Sequence, residues 1–197
     1  GRLQVRAGRQ RINWSQALIW NPNDIFNTYS FFDFDYVERP GSDAVRLIYS
    51  TSPSSAVETV VKVDAANRIT AAALGRFSIL STDLQFLAGV TDDDFLTAGT
   101  GFSGAIGSVS VRGEATLFAP LRGPEEENTI IATLGIDKAF SDKVTTLAQL
   151  MYSNNPLDLN SFTELYEGGL TARQLAFSKF SAAAQLSYSP VPLLNIS

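Results

Sequence analysis

The sequence predicts an all-β chain, an antiparallel up-and-down transmembrane β-barrel that is incomplete within these 197 residues. Three observations point there. Apolar and polar residues alternate with a period of two along almost the whole chain, which places each kind on its own side of a strand. The connections between the alternating runs are alternately short and long. Most of the runs have roughly 9–11 residues, the length that crosses a hydrocarbon layer when tilted.

Ten strands are expected, over 2–9, 42–50, 55–64, 68–77, 82–90, 94–102, 107–118, 128–139, 144–153 and 179–188, and an eleventh begins near Leu193. In the first, Leu3, Val5 and Ala7 share one side and leave Arg2, Gln4 and Arg6 on the other. In the second, Val45, Leu47 and Tyr49 oppose Arg46; the third carries Glu58 and Lys62 on its polar side, and the fourth carries Arg76. The fifth sets Leu84, Phe86, Ala88 and Val90 against Asp83 and Gln85. Gly99 and Gly101 blur the faces of the sixth. The seventh alternates Val109, Val111, Ala115 and Leu117 with Arg112, Glu114 and Thr116, and the eighth holds Asp137. Val144, Thr146, Ala148, Leu150 and Tyr152 in the ninth leave Gln149 opposite, and Phe180, Ala182, Ala184, Leu186 and Tyr188 in the tenth leave Gln185 opposite.

The short connections are 51–54, 78–81, 103–106, 140–143 and 189–192; the others are 10–41, 65–67, 91–93, 119–127 and 154–178. In a meander, alternate connections lie at opposite ends of the sheet, so every long one falls at the same end. Outer-membrane barrels have that asymmetry, with short turns on one side and long loops on the other. A soluble sandwich or a closed barrel with its apolar face inward is the rival fold. Against it, the apolar sides are rich in Ala, Gly, Val and Thr, which fill a core poorly. Leu84, Phe86, Val109, Val111, Ala115, Leu117, Val144, Leu150 and Leu186 are therefore expected to face lipid, and Thr116 to face water. Tyr49, Phe77, Phe86, Phe102, Phe140, Tyr152 and Tyr188 lie near strand ends, where aromatic girdles form.

The opposite parity supplies the expected pore lining: Arg2, Gln4, Arg6, Arg46, Glu58, Lys62, Arg76, Asp83, Gln85, Arg112, Glu114, Asp137, Gln149 and Gln185. With ten or eleven strands and no closure signal, the chain reads as one β-barrel domain over 1–197, part of a longer barrel. Segment 10–41 is too long for an idle connection and too aromatic for disorder. It is expected to fold back as a constriction inside the lumen, as a cap over the mouth, or as an aromatic platform for sugars. Its candidate residues are Trp14, Trp20, Asp33, Asp35 and Glu38, with Asp33 or Asp35 expected to meet Arg2, Arg6 or Arg46. If those acids lie elsewhere, Glu58 is the next partner for the arginines.

The chain has no Cys and no His, which removes thiol catalysis, Ser-His-Asp triads and the usual zinc sites. Same-side pairs such as Glu58 with Lys62 or Arg112 with Glu114 are read as charge neutralisation, so no enzyme activity is expected. Asp92-Asp93-Asp94 and Glu125-Glu126-Glu127 have no EF-hand spacing and read as solvated loop tips; no metal or cofactor is expected. A net charge of -5, from 15 basic and 20 acidic residues, argues against nucleic acid as a partner.

The run Gly8-Arg9-Gln10-Arg11-Ile12-Asn13-Trp14, followed by Trp20-Asn21-Pro22-Asn23-Asp24-Ile25-Phe26-Asn27, by Phe31-Phe32-Asp33-Phe34-Asp35-Tyr36 and by Arg39-Pro40-Gly41, resembles porin-like outer-membrane barrels of Gram-negative bacteria. The likeness is to a group common in the Bacteroidota and is densest over residues 2–50. It implies the bacterial outer membrane, with lipid and lipopolysaccharide as surroundings and other envelope proteins as possible partners. The expected function is passive passage of small solutes through a porin-like channel. The alternatives are a structural or docking barrel in a larger envelope complex, and a soluble β-sandwich binding module.

Overall fold

Eleven strands, β1 Leu3–Gln10, β2 Ser42–Ser52, β3 Ser55–Val63, β4 Ile69–Ile79, β5 Thr82–Thr91, β6 Phe95–Ile106, β7 Val109–Pro120, β8 Thr129–Ser141, β9 Val144–Ser153, β10 Phe180–Val191 and β11 Leu194–Ile196, form one sheet in sequence order. Each pairs antiparallel with the next, so the architecture is an all-β up-and-down meander. β1 and β11 are its two edges, and the sheet does not close on itself. The computed structural model describes residues 2–27, 41–64, 66–123, 127–157, 171–191 and 194–196. Among these, the only helical piece is a 3-10 turn at Ala172–Gln174.

The period-two pattern survives as two unlike faces. Cross-strand partners keep parity together: Val45 lies opposite Ala7 and Val61, Leu134 opposite Gly113 and Leu150, and Leu150 opposite Ala182. This outer face is apolar and uncovered, with Val45 53%, Leu150 60% and Leu186 61% exposed. On β1 and β2 the apolar run ends toward the long loops at Arg9, whose guanidinium makes a two-pronged contact with exposed Asp43. Tyr49, Phe140 and Tyr188 stand near the turn end, while Tyr152 and Phe180 pair at the other, with ring centres 5.2 Å apart. Phe86 is mid-strand instead, stacked on Phe77 at 5.8 Å. The opposite, inner face is buried from β2 to β9, and the core sits there, between the sheet and the chain that follows β1.

The two ends differ as the connections predict. Among the described residues one end has only two-residue turns, at Pro53–Ser54, Leu80–Ser81, Gly107–Ser108 and Asp142–Lys143. The other has 11–41, 64–68, 92–94, 121–128 and 154–179. The expected turn at 103–106 is displaced. Ser103 through Ile106 stay in the ladder against Arg112 through Val109, and the chain reverses at Gly107 with φ 62°. Glycine takes that left-handed conformation without the Cβ penalty other residues meet.

At Leu80–Ser81 both residues have positive φ, 49° and 65°, the geometry of a type I′ hairpin turn usually made by Asn-Gly. A Cβ in the left-handed region costs about 1–2 kcal/mol. Replacing Ser81 by Gly should therefore raise stability by about 1 kcal/mol, read as a higher denaturation midpoint; an unchanged or lower midpoint would contradict the strain.

Candidate functional site

Residues 11–27 lie against the inner face, and their own polar groups shape them first. Asn13 Oδ1 accepts from Ser15 N at 2.8 Å and Ser15 Oγ at 2.7 Å, an Asx turn. Pro22 sits in a second turn, in which Asp24 N donates to Asn21 O at 3.1 Å and Ile25 N to Asn23 O at 3.0 Å. Asn27 Oδ1 accepts from Ile12 N at 2.8 Å, and Asn27 Nδ2 donates to Ser42 Oγ at 3.1 Å. The segment is thus a loop whose two ends are tied to one another and to the start of β2.

Such a loop has no ladder, so its buried backbone groups need other partners. Inner-face side chains supply them. Glu114 on β7 accepts three backbone N–H groups, from Gln16, from Ala17 at 2.8 Å and from Asn23 at 3.1 Å. Gln149 on β9 bonds both ways, accepting from Ile19 N at 2.8 Å and donating to Trp20 O at 2.9 Å. Gln85 on β5 donates to Trp14 O at 2.7 Å. Arg76 on β4 reaches Asn13 O at 3.2 Å, and Lys62 on β3 reaches Phe26 O at 3.1 Å. Thr116 Oγ1 donates to Asn23 Oδ1 at 2.7 Å, and Asn23 Nδ2 donates to Thr100 O at 3.1 Å.

A buried ion pair anchors the near end. Glu58 faces Arg46 through two contacts, Nε to Oε1 at 2.7 Å and Nη2 to Oε2 at 2.9 Å, and its Oε1 also accepts from Trp14 Nε1 at 2.6 Å. The Trp14 ring meets Phe26 edge-on at 4.8 Å. Ile12, Trp14, Ile19, Trp20, Ile25 and Phe26 join inner-face Val60, Leu74, Leu87, Phe118, Ile131 and Met151 in one apolar cluster. Two glycines on β6 make room. A Cβ at Gly99 would stand 2.4 Å from Asn23 Oδ1, and one at Gly101 would stand 2.8 Å from Gln16 Oε1.

The expected lining residues therefore divide. Arg46, Glu58, Lys62, Arg76, Gln85, Glu114 and Gln149 are brought together by the segment. Arg112 pairs with Asp137 at 2.7 Å beside it. Arg2, Gln4, Arg6 and Gln185 keep the inner parity on β1 and β10, but lie beyond the covered strands and are exposed. Asp83 is exposed near the turn end. Thr116, expected to face water, is instead buried beneath Asn23. Trp14 and Trp20 are buried rather than presented as a stacking platform. Asp33, Asp35 and Glu38 lie outside the described residues; the partner of Arg46 is Glu58. Among the described residues no group of three or more acids is placed to hold a metal ion. Asp92 and Asp93 instead bond to the start of β4, Asp92 Oδ1 accepting from Thr70 Oγ1 at 3.2 Å and Asp93 Oδ2 from Ile69 N at 2.8 Å.

Sequence reading missed a second inward contact. Ala172, Leu175 and Ala176, from the long connection before β10, are buried in the same cluster as Phe118, and Arg173 lies over the Phe95 ring at 4.6 Å. No protein-family model matches the chain, and no curated protein matches it.

Asp24 gives the segment a pH response. Burial first, and nearby Glu114 second, push its carboxyl up from 3.8 to about 7, against the opposing pull of Arg11 and the backbone amides of Asn27 and Trp14. The folded form then holds its proton more tightly than the unfolded form does, so this contribution is full below about pH 4 and is lost as pH rises through 7. Burial of residues 11–27 should weaken from pH 5 to pH 8, seen as red-shifted tryptophan emission, and Asp24→Asn should flatten that dependence. An equal response in wild type and variant would refute it.

Glu114→Ala would leave three segment N–H groups without their acceptor, at about 1–3 kcal/mol for each that stays buried. The expected result is a loss of about 3 kcal/mol or more and new protease cleavage within 11–27, while Glu114→Gln, which keeps an acceptor oxygen, loses less. Wild-type protease resistance in Glu114→Ala would show that the carboxylate does not hold the segment.

Proposed function

We propose that the chain forms the wall of a porin-like outer-membrane channel for small solutes, narrowed by residues 11–27. The observation that carries this reading is the pairing of an uncovered apolar outer face with a polar inner face that holds an irregular segment by specific side-chain bonds. Exposed apolar surface of that extent favours a lipid surround over water. The four described two-residue turns at one end and longer connections at the other match the two sides of an outer membrane. From Phe180 to Tyr188 the outer face of β10 runs eight residue steps, about 26 Å along the strand and roughly 20 Å along the normal at a 40° tilt. Lipid and lipopolysaccharide would surround such a wall. The composition of the buried layer, with neither Cys nor His in the chain, favours passage over catalysis.

A second reading, a barrel plugged by this segment and serving as a docking component of an envelope complex, is favoured by the burial of Trp14, Asn23 and Asp24 to 1% exposure or less. Planar-bilayer recording on the full-length protein separates the two. A channel predicts discrete conductance steps in wild type that widen in Glu114→Ala. A plug predicts silence in wild type and steps only in the variant. Silence in both would remove the channel reading.

A further inference from the structure

Toward the two-residue turns, below the segment, the inner face opens into a cavity of about 500 Å³, within the few hundred to a thousand typical of small-molecule sites. The segment at Asn13 to Gln16 forms one wall, and the turn ends of β2 to β5 form the other. Its lining is mostly hydroxyl and amide, but it includes two opposite charges, Arg76 and Asp83. Arg76 stands opposite Gln85 in the ladder, so Asp83 is its diagonal neighbour, roughly 7–8 Å away at the backbone. Nevertheless they are not bridged to one another. Arg76 Nη2 turns to Asn13 O at 3.2 Å, and Asp83 Oδ1 accepts from Ser78 Oγ. Gln16 also lines the cavity, though its Oε1 is buried against Gly101 of β6.

We infer that this cavity binds a small zwitterion of amino-acid size, its carboxylate on Arg76 and its ammonium on Asp83. An anion alone would meet the Asp83 carboxylate, and a cation alone would meet Arg76. A neutral polyol would satisfy the hydroxyls but bring a counter-charge to neither Arg76 nor Asp83. A solute carrying both signs answers each, and the planar guanidinium suits a carboxylate in particular. The ammonium, with three donors, has others to spare for the lining hydroxyls. The inference names the solute class at the turn end of the lumen, and it rests on the channel reading for the route by which that solute arrives.

Equilibrium binding to the full-length protein in detergent, followed by saturation-transfer NMR, tests the site without any current being passed. L-Glutamine should bind, acetate and methylammonium should bind at least about tenfold more weakly, and mannitol should compete with none of them. Asp83→Asn and Arg76→Gln should each weaken L-glutamine by at least about tenfold. Because Arg76 also touches the segment, Asp83→Asn, at an exposed position that does not touch it, carries the test if Arg76→Gln fails to fold. Mannitol binding as well as L-glutamine, or an unchanged affinity in Asp83→Asn, would overturn the proposal. L-Glutamine binding to a barrel that passes no current would support the site and remove the channel; discrete conductance with no L-glutamine binding would do the reverse.

Discussion

The constraint on which the inner half of this molecule depends is that an irregular backbone cannot be buried with its N–H and C=O groups unpaired. Residues 11–27 have no strand partner, yet Asn23 and Trp14 are inaccessible to solvent. Glu114 resolves much of the problem, because one carboxylate with two oxygens accepts from Gln16, Ala17 and Asn23 together. Gln149 handles an adjacent donor and acceptor at Ile19 and Trp20, because an amide side chain carries both an acceptor oxygen and an N–H donor. These bonds fix where the segment lies, and the apolar cluster of Trp14, Phe26, Leu74 and Ile131 fills the space they define.

That arrangement explains why the polar face is polar without being wet. Alternation along a strand states only that two faces differ; it does not say what covers each. Here the outer-face apolar side chains of β2 to β10 stay uncovered, while inner-face Gln85, Glu114, Thr116 and Gln149 are buried at 3% exposure or less. Their polarity serves a neighbouring backbone. A residue such as Thr116, ordinary as a water-facing position, becomes a donor to Asn23 once the loop is laid over it.

The strands were legible because their signal is local. Ten alternating runs, read against turn residues, place the meander, its two unlike faces and its two unlike ends within a few residues. The turn at Gly107 was harder, since Gly104 three residues earlier in the same run carries the same cue while remaining in the ladder. The grip on the segment was not legible, because its bonds join residues from 36 to 130 positions apart, as Lys62 with Phe26 and Ile19 with Gln149. One trace of it was visible in a negative form. Gly99 and Gly101 blur the alternation of β6, and they do so because a side chain there would collide with Asn23 and Gln16.

The distribution of charge follows from the same cover. Where the segment lies, each inner charge has a protein partner: Arg46 with Glu58, Lys62 with Phe26 O, Glu114 with three amides, and Arg112 with Asp137 beside it. Where it does not, inner-parity charges stay in contact with solvent, as Arg2 and Arg6 do on β1 and Asp83 does near the turns. In a buried layer an unpaired charge costs several kcal/mol, so pairing there is obligatory. Charges at the margins carry no such requirement and remain available to a solute. Beyond the segment's edge the inner face therefore changes from a surface that holds its own chain to one that can meet something else.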